Sequence, residues 1–248
     1  MLAFPLSARR GLILLAALCA TLLTARLGVW QLDRAAQKEA LRAAILQRGA
    51  LPPLEAAQLA QDAAAAEPQI HRRIAVTGQW LHRFTVFLDN RQMGGRPGFF
   101  VVTPLQLPAG DCVLVQRGWV ARDPLDRTHL PTLPAAEGIV RVIARVALPP
   151  SRLFEFGADE AGPIRQNLDP GAYSREIGIA VRPLSLLQLE PEDAASPDGL
   201  LRDWPLPAQD IQKHHGYAFQ WFAMSLLIAG LYVWFQLLRP RLARRSAP

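Results

Sequence analysis

Cysteine is scarce in this sequence: two in 248 residues, Cys19 and Cys112. That excludes a disulfide framework, so the chain must fold on its core alone. Cys19 lies inside an apolar run and Cys112 in the region beyond it, so the two are not expected to pair. Methionine is scarce too, at three, and there is no C-x-x-C or C-x-x-x-C. Cu(I) favours such soft ligands, which argues against copper delivery. Also absent are G-x-S-x-G, H-E-x-x-H, a phosphate-binding loop and a dinucleotide fingerprint. That disfavours an enzyme, although a triad built from distant residues would leave no local signature. Acidic residues are missing from both ends: all 21 lie between Asp33 and Asp210. Seven of the 27 basic residues lie outside 31–213, namely Arg9, Arg10, Arg26, Arg239, Arg241, Arg244 and Arg245. The middle therefore holds 20 basic against 21 acidic residues, a net charge of −1. A net charge of +6 suggests nucleic-acid binding, but the excess sits at the two ends, and no nucleic-acid partner is expected.

Each basic end flanks an apolar run. The first is GLILLAALCATLLTARLGVW, residues 11–30, interrupted only by Arg26. The second is YAFQWFAMSLLIAGLYVWFQLL, residues 217–238. About 20 helical residues cross a bilayer core, so both runs are expected to span it, with Arg26 snorkelling to a headgroup region. No convincing small-x-small cleavage site follows the first run, which reads as an uncleaved anchor. The positive-inside rule places both termini in the cytoplasm and the intervening chain across the membrane, in the periplasm of a bacterium. Trp30, Tyr217 and Trp221 near the outer ends, and Tyr232 and Trp234 nearer the inner end, fit an aromatic belt. The expected organisation is a cytoplasmic N-terminus (1–10), a first span (11–30), a periplasmic domain (31–213), a second span (217–238) and a cytoplasmic basic tail (239–248).

The fold class expected is a membrane protein of two transmembrane helices bracketing a β-rich α+β periplasmic domain. The first helix should continue to about Gly49, with Leu32, Ala36, Leu41 and Ile45 at helical spacing. Leu54–Ala66 reads as a short helix ended by Pro68. Strands are expected around 70–80 and 84–91, then at 99–107 and 112–120 joined by a PAGD hairpin turn. A turn is expected at MGGRPG, residues 93–98. A further strand falls at 139–147, one or two helical turns at 170–177, and a last strand at 180–189, which Pro183 marks as an edge. Loops are expected at 195–199 and 204–207. Asp210 is a plausible N-cap for a helix running from about Ile211 to Leu238.

Two constellations stand out. KHHGYAFQWF, residues 213–222, carries adjacent histidines at the mouth of the second run. On a helix His214, Tyr217, Trp221 and Ser225 share a face, and His215 points away with Phe219 and Phe222. Imidazole beside aromatic rings suits haem, whose iron takes an axial histidine, and it equally suits an inert interfacial residue; spacing leaves both readings open. His71, His82 and His129 are scattered and read as structural. The second constellation is Asn90-Arg91 and Arg117-Gly118-Trp119. A mid-strand arginine pairs with a carboxylate or a propionate, or lies on a solvated strand face.

Taken together the motifs resemble a family. LGVWQLDRAAQKEAL, with Trp30 and Arg34, is followed by GQW at 78–80, DNR at 89–91, RPGFFVVTPL at 96–105, QRGWV at 116–120, DGLLRDWP at 198–205 and KHHGYAFQWF. In this order, between two spans, they resemble the surfeit locus protein 1 family over nearly the whole chain, from about Leu27 to Leu238. The resemblance implies a non-enzymatic inner-membrane assembly factor for cytochrome c oxidase that assists maturation of the haem a centre of subunit I. It implies transient binding of haem a, with subunit I and haem a synthase as partners besides the lipid bilayer. By its distance from Tyr217, His214 takes the family's haem-linked position as axial ligand, with Tyr217, Trp221 and Trp30 lining the porphyrin; His215 is the weaker candidate. Gln116 stands where many members have asparagine. The alternative is a scaffold that steadies early oxidase subunits without binding haem.

Overall fold

The structure is a computed structural model describing residues 6–126, 128–133, 138–153, 162–190, 198–204 and 211–245. The chain forms two compact units, one of residues 1–43 and 206–248 and the other of residues 44–205. The expected cap Asp210, and parts of the loops expected at 195–199 and 204–207, lie outside the described residues.

The first unit is a pair of helices long and apolar enough to cross a membrane. Helix α1, Leu6–Ala50, is unbroken over 45 residues, roughly 67 Å at 1.5 Å per residue. It pairs antiparallel with a second helical segment that starts at Ile211, described below. Along α1 the residues withdrawn from the surface include Ala17, Thr21, Thr24, Gly28, Gln31 and Ala35. They alternate three and four residues apart, the seam of two helices packed side by side. Most are small, which lets helix backbones approach closely where no hydrophobic effect drives association. At Gly28 a Cβ would lie 2.8 Å from the Phe222 ring.

The second unit is built on one mixed sheet. Its strands are β1 (Leu54–Glu55), β2 (Arg73–Trp80), β3 (Val86–Met93), β4 (Arg96–Gln106), β5 (Cys112–Ala121), β6 (Ile139–Ala147), β7 (Ile164–Arg165) and β8 (Val181–Gln188). The order is β1-β2-β6-β8-β5-β4-β3-β7, and β4 also pairs with β2 through Gln79↔Gln106 and Trp80↔Leu105. That second pairing closes β2, β6, β8, β5 and β4 into a barrel. Strand β4 bends to do this, lying against β3 with its first half and β2 with its last residues. Alternate residues face inward, as the two-residue period of a strand requires: Ile74 and Val76, Val113 and Val115, Val140, Val142, Ala144 and Val146, Leu184 and Leu186 fill the barrel. Gly78 lies where β2 meets β4; a Cβ there would sit 2.3 Å from the Gln106 carbonyl oxygen. Helix α3 (Pro170–Ile177), capped by Asp169 accepting from the Ala172 amide, puts Tyr173 into a second cluster with Val86, Leu88, Val102 and Leu114.

The strand and hairpin expectations hold, and 139–147 and 170–177 match their elements end to end. Four expectations need correction. Leu54–Ala66 is not one helix: Leu54 is buried and pairs with Ile74, and only Ala63–Ala66, α2, is α-helical, capped by Asp62. The turn expected over MGGRPG is confined to Gly94-Gly95, and Arg96, Pro97 and Gly98 already pair with β3. Strand β8 is not an edge, since it lies between β6 and β5. Pro183 is tolerated because β6 pairs only with Ser185–Gln188, and the register with β5 shifts between Cys112 and Leu114. Finally, the last helix does not stop at Leu238. Helix α4, Ile211–Tyr232, passes through a π-helical turn, Val233–Leu238, into α5, Arg239–Arg245. Pro240 explains the wide turn: it has no N–H to give and its ring crowds the carbonyl four residues back, and Arg239 N–H bonds to the Trp234 carbonyl instead.

Candidate functional site

The two adjacent histidines lie in the first turns of α4. The residues of α4 withdrawn from the surface include Ile211, His214, Ala218, Trp221 and Ser225, again three and four apart. His214 therefore sits on the seam. Its Nδ1 is 2.7 Å from the Gln31 Oε1 of α1. Among the described residues its Nε2 has no protein partner. Eleven residues on, Ser225 Oγ donates to the Thr21 carbonyl at 3.0 Å, fixing the same register at another level.

His215 is separated from His214 by its partner as well as by helical phase. Its Nε2 lies 3.4 Å from Glu39 Oε1, at a more exposed position. Trp221 is half-buried on the seam, and Tyr217 lies at its edge, 52% exposed. Trp30, next to Gln31, is 48% exposed. The structure thus brings His214 and Trp221 onto one face and leaves Tyr217 and Trp30 as outward-facing rings. Arg34 is exposed on α1 and donates to Gln37 Oε1 at 3.0 Å. His71, His82 and His129 are not brought together, and among the described residues no three His, Cys, Asp or Glu side chains converge as a metal site.

The other motifs converge within the second unit, around β-bulges. In β3 the register shifts between Leu88 and Arg91, where Asn90 takes a left-handed φ of 59°. In β5 the register shifts so that Gly118 faces Val101 and Gln116 faces Val102, leaving Arg117 as the extra residue. A bulge re-aims the side chain it displaces, and both arginines are buried. Arg91 donates to the Gln166 carbonyl at 2.9 Å, and the Arg91 carbonyl accepts from Trp119 Nε1 at 3.0 Å. The Arg117 guanidinium lies 4.7 Å over the Trp80 ring and 4.0 Å from Asp198. At 1% exposure the solvated-face reading of Arg117 is excluded, and its carboxylate partner is Asp198. Asp198 also takes the Arg202 guanidinium and the Leu200 amide. Burial pushes its carboxyl up, but the bonds from Arg202 and Leu200, with the charges of Arg202 and Arg117, outweigh it and leave the pKa lowered.

Gly118 makes the docking of that segment possible: a Cβ would lie 2.7 Å from Leu200 Cβ. Leu201 then pairs with Trp119 in both directions, at 2.7 and 2.8 Å. Trp204 donates to the Gln188 carbonyl at 2.7 Å and packs edge-on against Phe100. The DNR, RPGFF, QRGW and DGLLRDW stretches are thus one packed unit, with side chains spent on each other.

Sequence reasoning missed Gln31, Glu39 and Asp198. All three lie inside quoted motifs, but the contacts that matter span the sequence: 183 residues for Gln31 and His214, 176 for Glu39 and His215, and from Asp198 back to Arg117.

The sequence profile of the SURF1 family matches residues 18–226. A SURF1-like protein of Rickettsia felis is 24% identical over 215 residues, covering 84% of this chain and 89% of its own length. One from Rickettsia bellii is 22% identical over 214 residues, covering 83% of each. The cytochrome oxidase assembly protein SHY1 of Saccharomyces cerevisiae is 32% identical over 133 residues, 51% of this chain and 33% of that protein.

Proposed function

This chain belongs to the SURF1 family, and from that membership we propose that it is a membrane-anchored assembly factor for cytochrome c oxidase that carries haem a toward subunit I, working with haem a synthase. In this reading α1 and α4 cross the bacterial inner membrane, both termini are cytoplasmic and the barrel is periplasmic. The charge distribution supports that orientation, with Arg9, Arg10, Arg239, Arg241, Arg244 and Arg245 at what would be the inner ends of the two spans.

The observation that carries the haem reading is the placement of His214. The donor set fits the group: an imidazole nitrogen without a protein partner among the described residues, on a helix face that also carries Trp221, with exposed rings at Tyr217 and Trp30. His214 would hold the iron, and the aromatic residues would cover the ring. Bound haem supplies an iron centre destined for the oxidase; this chain's residues supply one nitrogen ligand and an apolar surface. A single ligand suits a cargo that has to leave. Protein purified from cells that make haem a should show a haem absorption band, and His214→Ala should abolish it. Unchanged haem content in that variant would sink the ligand assignment.

A second reading has one observation in its favour. The DNR, RPGFF, QRGW and DGLLRDW motifs lie within the second unit with side chains spent on one another, as a folded platform that binds no haem would have it. Co-purification with subunit I that survives in cells without haem a synthesis would favour the scaffold; its loss there would favour the carrier.

A further inference from the structure

We propose that Gln31 is a positioning residue that holds His214 in the Nδ1–H tautomer and so presents the Nε2 lone pair to a metal; this rests on the haem-carrier reading and names how its ligand is prepared. A neutral imidazole carries one ring proton, on either nitrogen, and the nitrogen that carries it has no lone pair for iron. The acceptor beside the ring decides which. Here it is the Gln31 Oε1, 2.7 Å from Nδ1. That contact draws the proton to Nδ1 and leaves Nε2 as the nitrogen without a protein partner among the described residues. Gln31 reaches the ring because it occupies the α1 seam between Gly28 and Ala35, facing the α4 seam on which His214 lies.

The neighbouring histidine supplies the contrast. Glu39 touches His215 through Nε2, the nitrogen that His214 keeps open. Two imidazoles adjacent in the chain are thus engaged through opposite ring nitrogens. Metal-bound histidines generally donate their other ring N–H in this way, and loss of that acceptor weakens metal affinity by about 10- to 100-fold.

The test uses the full chain in detergent, ring-15N-labelled at histidine and free of haem. Comparison with His214→Ala identifies the His214 signals. In the wild type at pH 8 these should report a proton on Nδ1 and none on Nε2; Gln31→Glu, which keeps an acceptor, should give the same pattern. Gln31→Leu should move proton density to Nε2. Loaded with haem at pH 8, Gln31→Leu should release it at least about tenfold faster than the wild type, and Gln31→Glu should retain it. A proton on Nε2 of the wild type, an unchanged tautomer in Gln31→Leu, or unaltered haem release from Gln31→Leu would each overturn the proposal. A merely structural role for Gln31 predicts unequal thermal midpoints for Leu and wild type with no tautomer change. If His214→Ala keeps its haem, the ligand assignment fails while the tautomer measurement on haem-free protein still stands or falls by itself.

Discussion

At the residue scale, several buried polar groups are answered by a specific partner, and those partners set the expected costs. Trp204→Phe keeps the ring packed against Phe100 but removes the N–H that the Gln188 carbonyl accepts at 2.7 Å. The cost should be about 1–2 kcal/mol, read as a lower urea midpoint at unchanged slope. His71 sets a pH dependence. It holds a left-handed φ of 73°, and burial, with the charges of Arg145 and Arg48, pushes its pKa below the ordinary 6.5. The folded state therefore disfavours the proton that the unfolded chain takes up. The contribution is complete above 6.5 and is lost as pH falls through the lower folded value. Asp198, lowered in the folded state from 3.8, acts in the same direction in a more acid window. Thermal melts should show the midpoint falling from pH 7 to 5, and His71→Asn, whose side chain tolerates left-handed φ, should flatten that slope. Residues of this kind were only half legible in the sequence. The arginines of DNR and QRGW drew attention, but nothing local named their partners. The bulges that turn Arg91 and Arg117 inward depend on the strand opposite.

At the element scale, glycines mark where two backbones meet. Gly78 in GQW stands at the short β2–β4 ladder that closes the barrel, and a methyl group there meets the Gln106 carbonyl. Gly78→Ala should destabilise the second unit by about 1–3 kcal/mol or more, with Trp80 fluorescence reporting looser packing. Gly28 has the same place in the helix pair. Gly28→Ala should weaken the pairing and lower the yield of a disulfide between cysteines placed at Thr21 and Ser225, in a Cys19→Ala background. Adding Phe222→Ala should restore that yield, because the ring is what a Cβ at 28 would strike. The elements themselves were well announced, since periodicity and turn residues are local signals. What failed was local too, but overruled from outside. Pro183 argued for an edge, and the register shift let an interior strand carry it. Alanines argued for a helix at 54–66, and the buried, sheet-paired Leu54 denied it.

At the scale of the whole molecule, the chain is divided into a helix pair and a barrel that share α1 as continuous backbone. Both cysteines are free. Cys112 is fully buried in β5, and burial, with Asp111 beside it, pushes its thiol up to about 11. A maleimide should therefore leave Cys112 unlabelled at neutral pH in the native protein and label it in step with denaturant unfolding. Labelling of native Cys112 would contradict the closed barrel. The family was legible from motif order and from the apolar runs. The seam contact between Gln31 and His214 was not, because it joins opposite ends of the chain.

The antiparallel helix pair has a mechanical consequence for a chain so poor in cysteine. The segment 44–205 leaves one helix of the pair and returns to the other. When those helices are interlocked, through Gly28 and Phe222 and through Thr21 and Ser225, both ends of that segment are pinned before its long-range strands need to meet. A cross-link closing a loop of about 100 residues removes unfolded-state entropy worth about 4.7 kcal/mol. The helix pair is in that sense a non-covalent staple, one that no reductant can open, and its grip is set by a stripe of small residues rather than by sulfur.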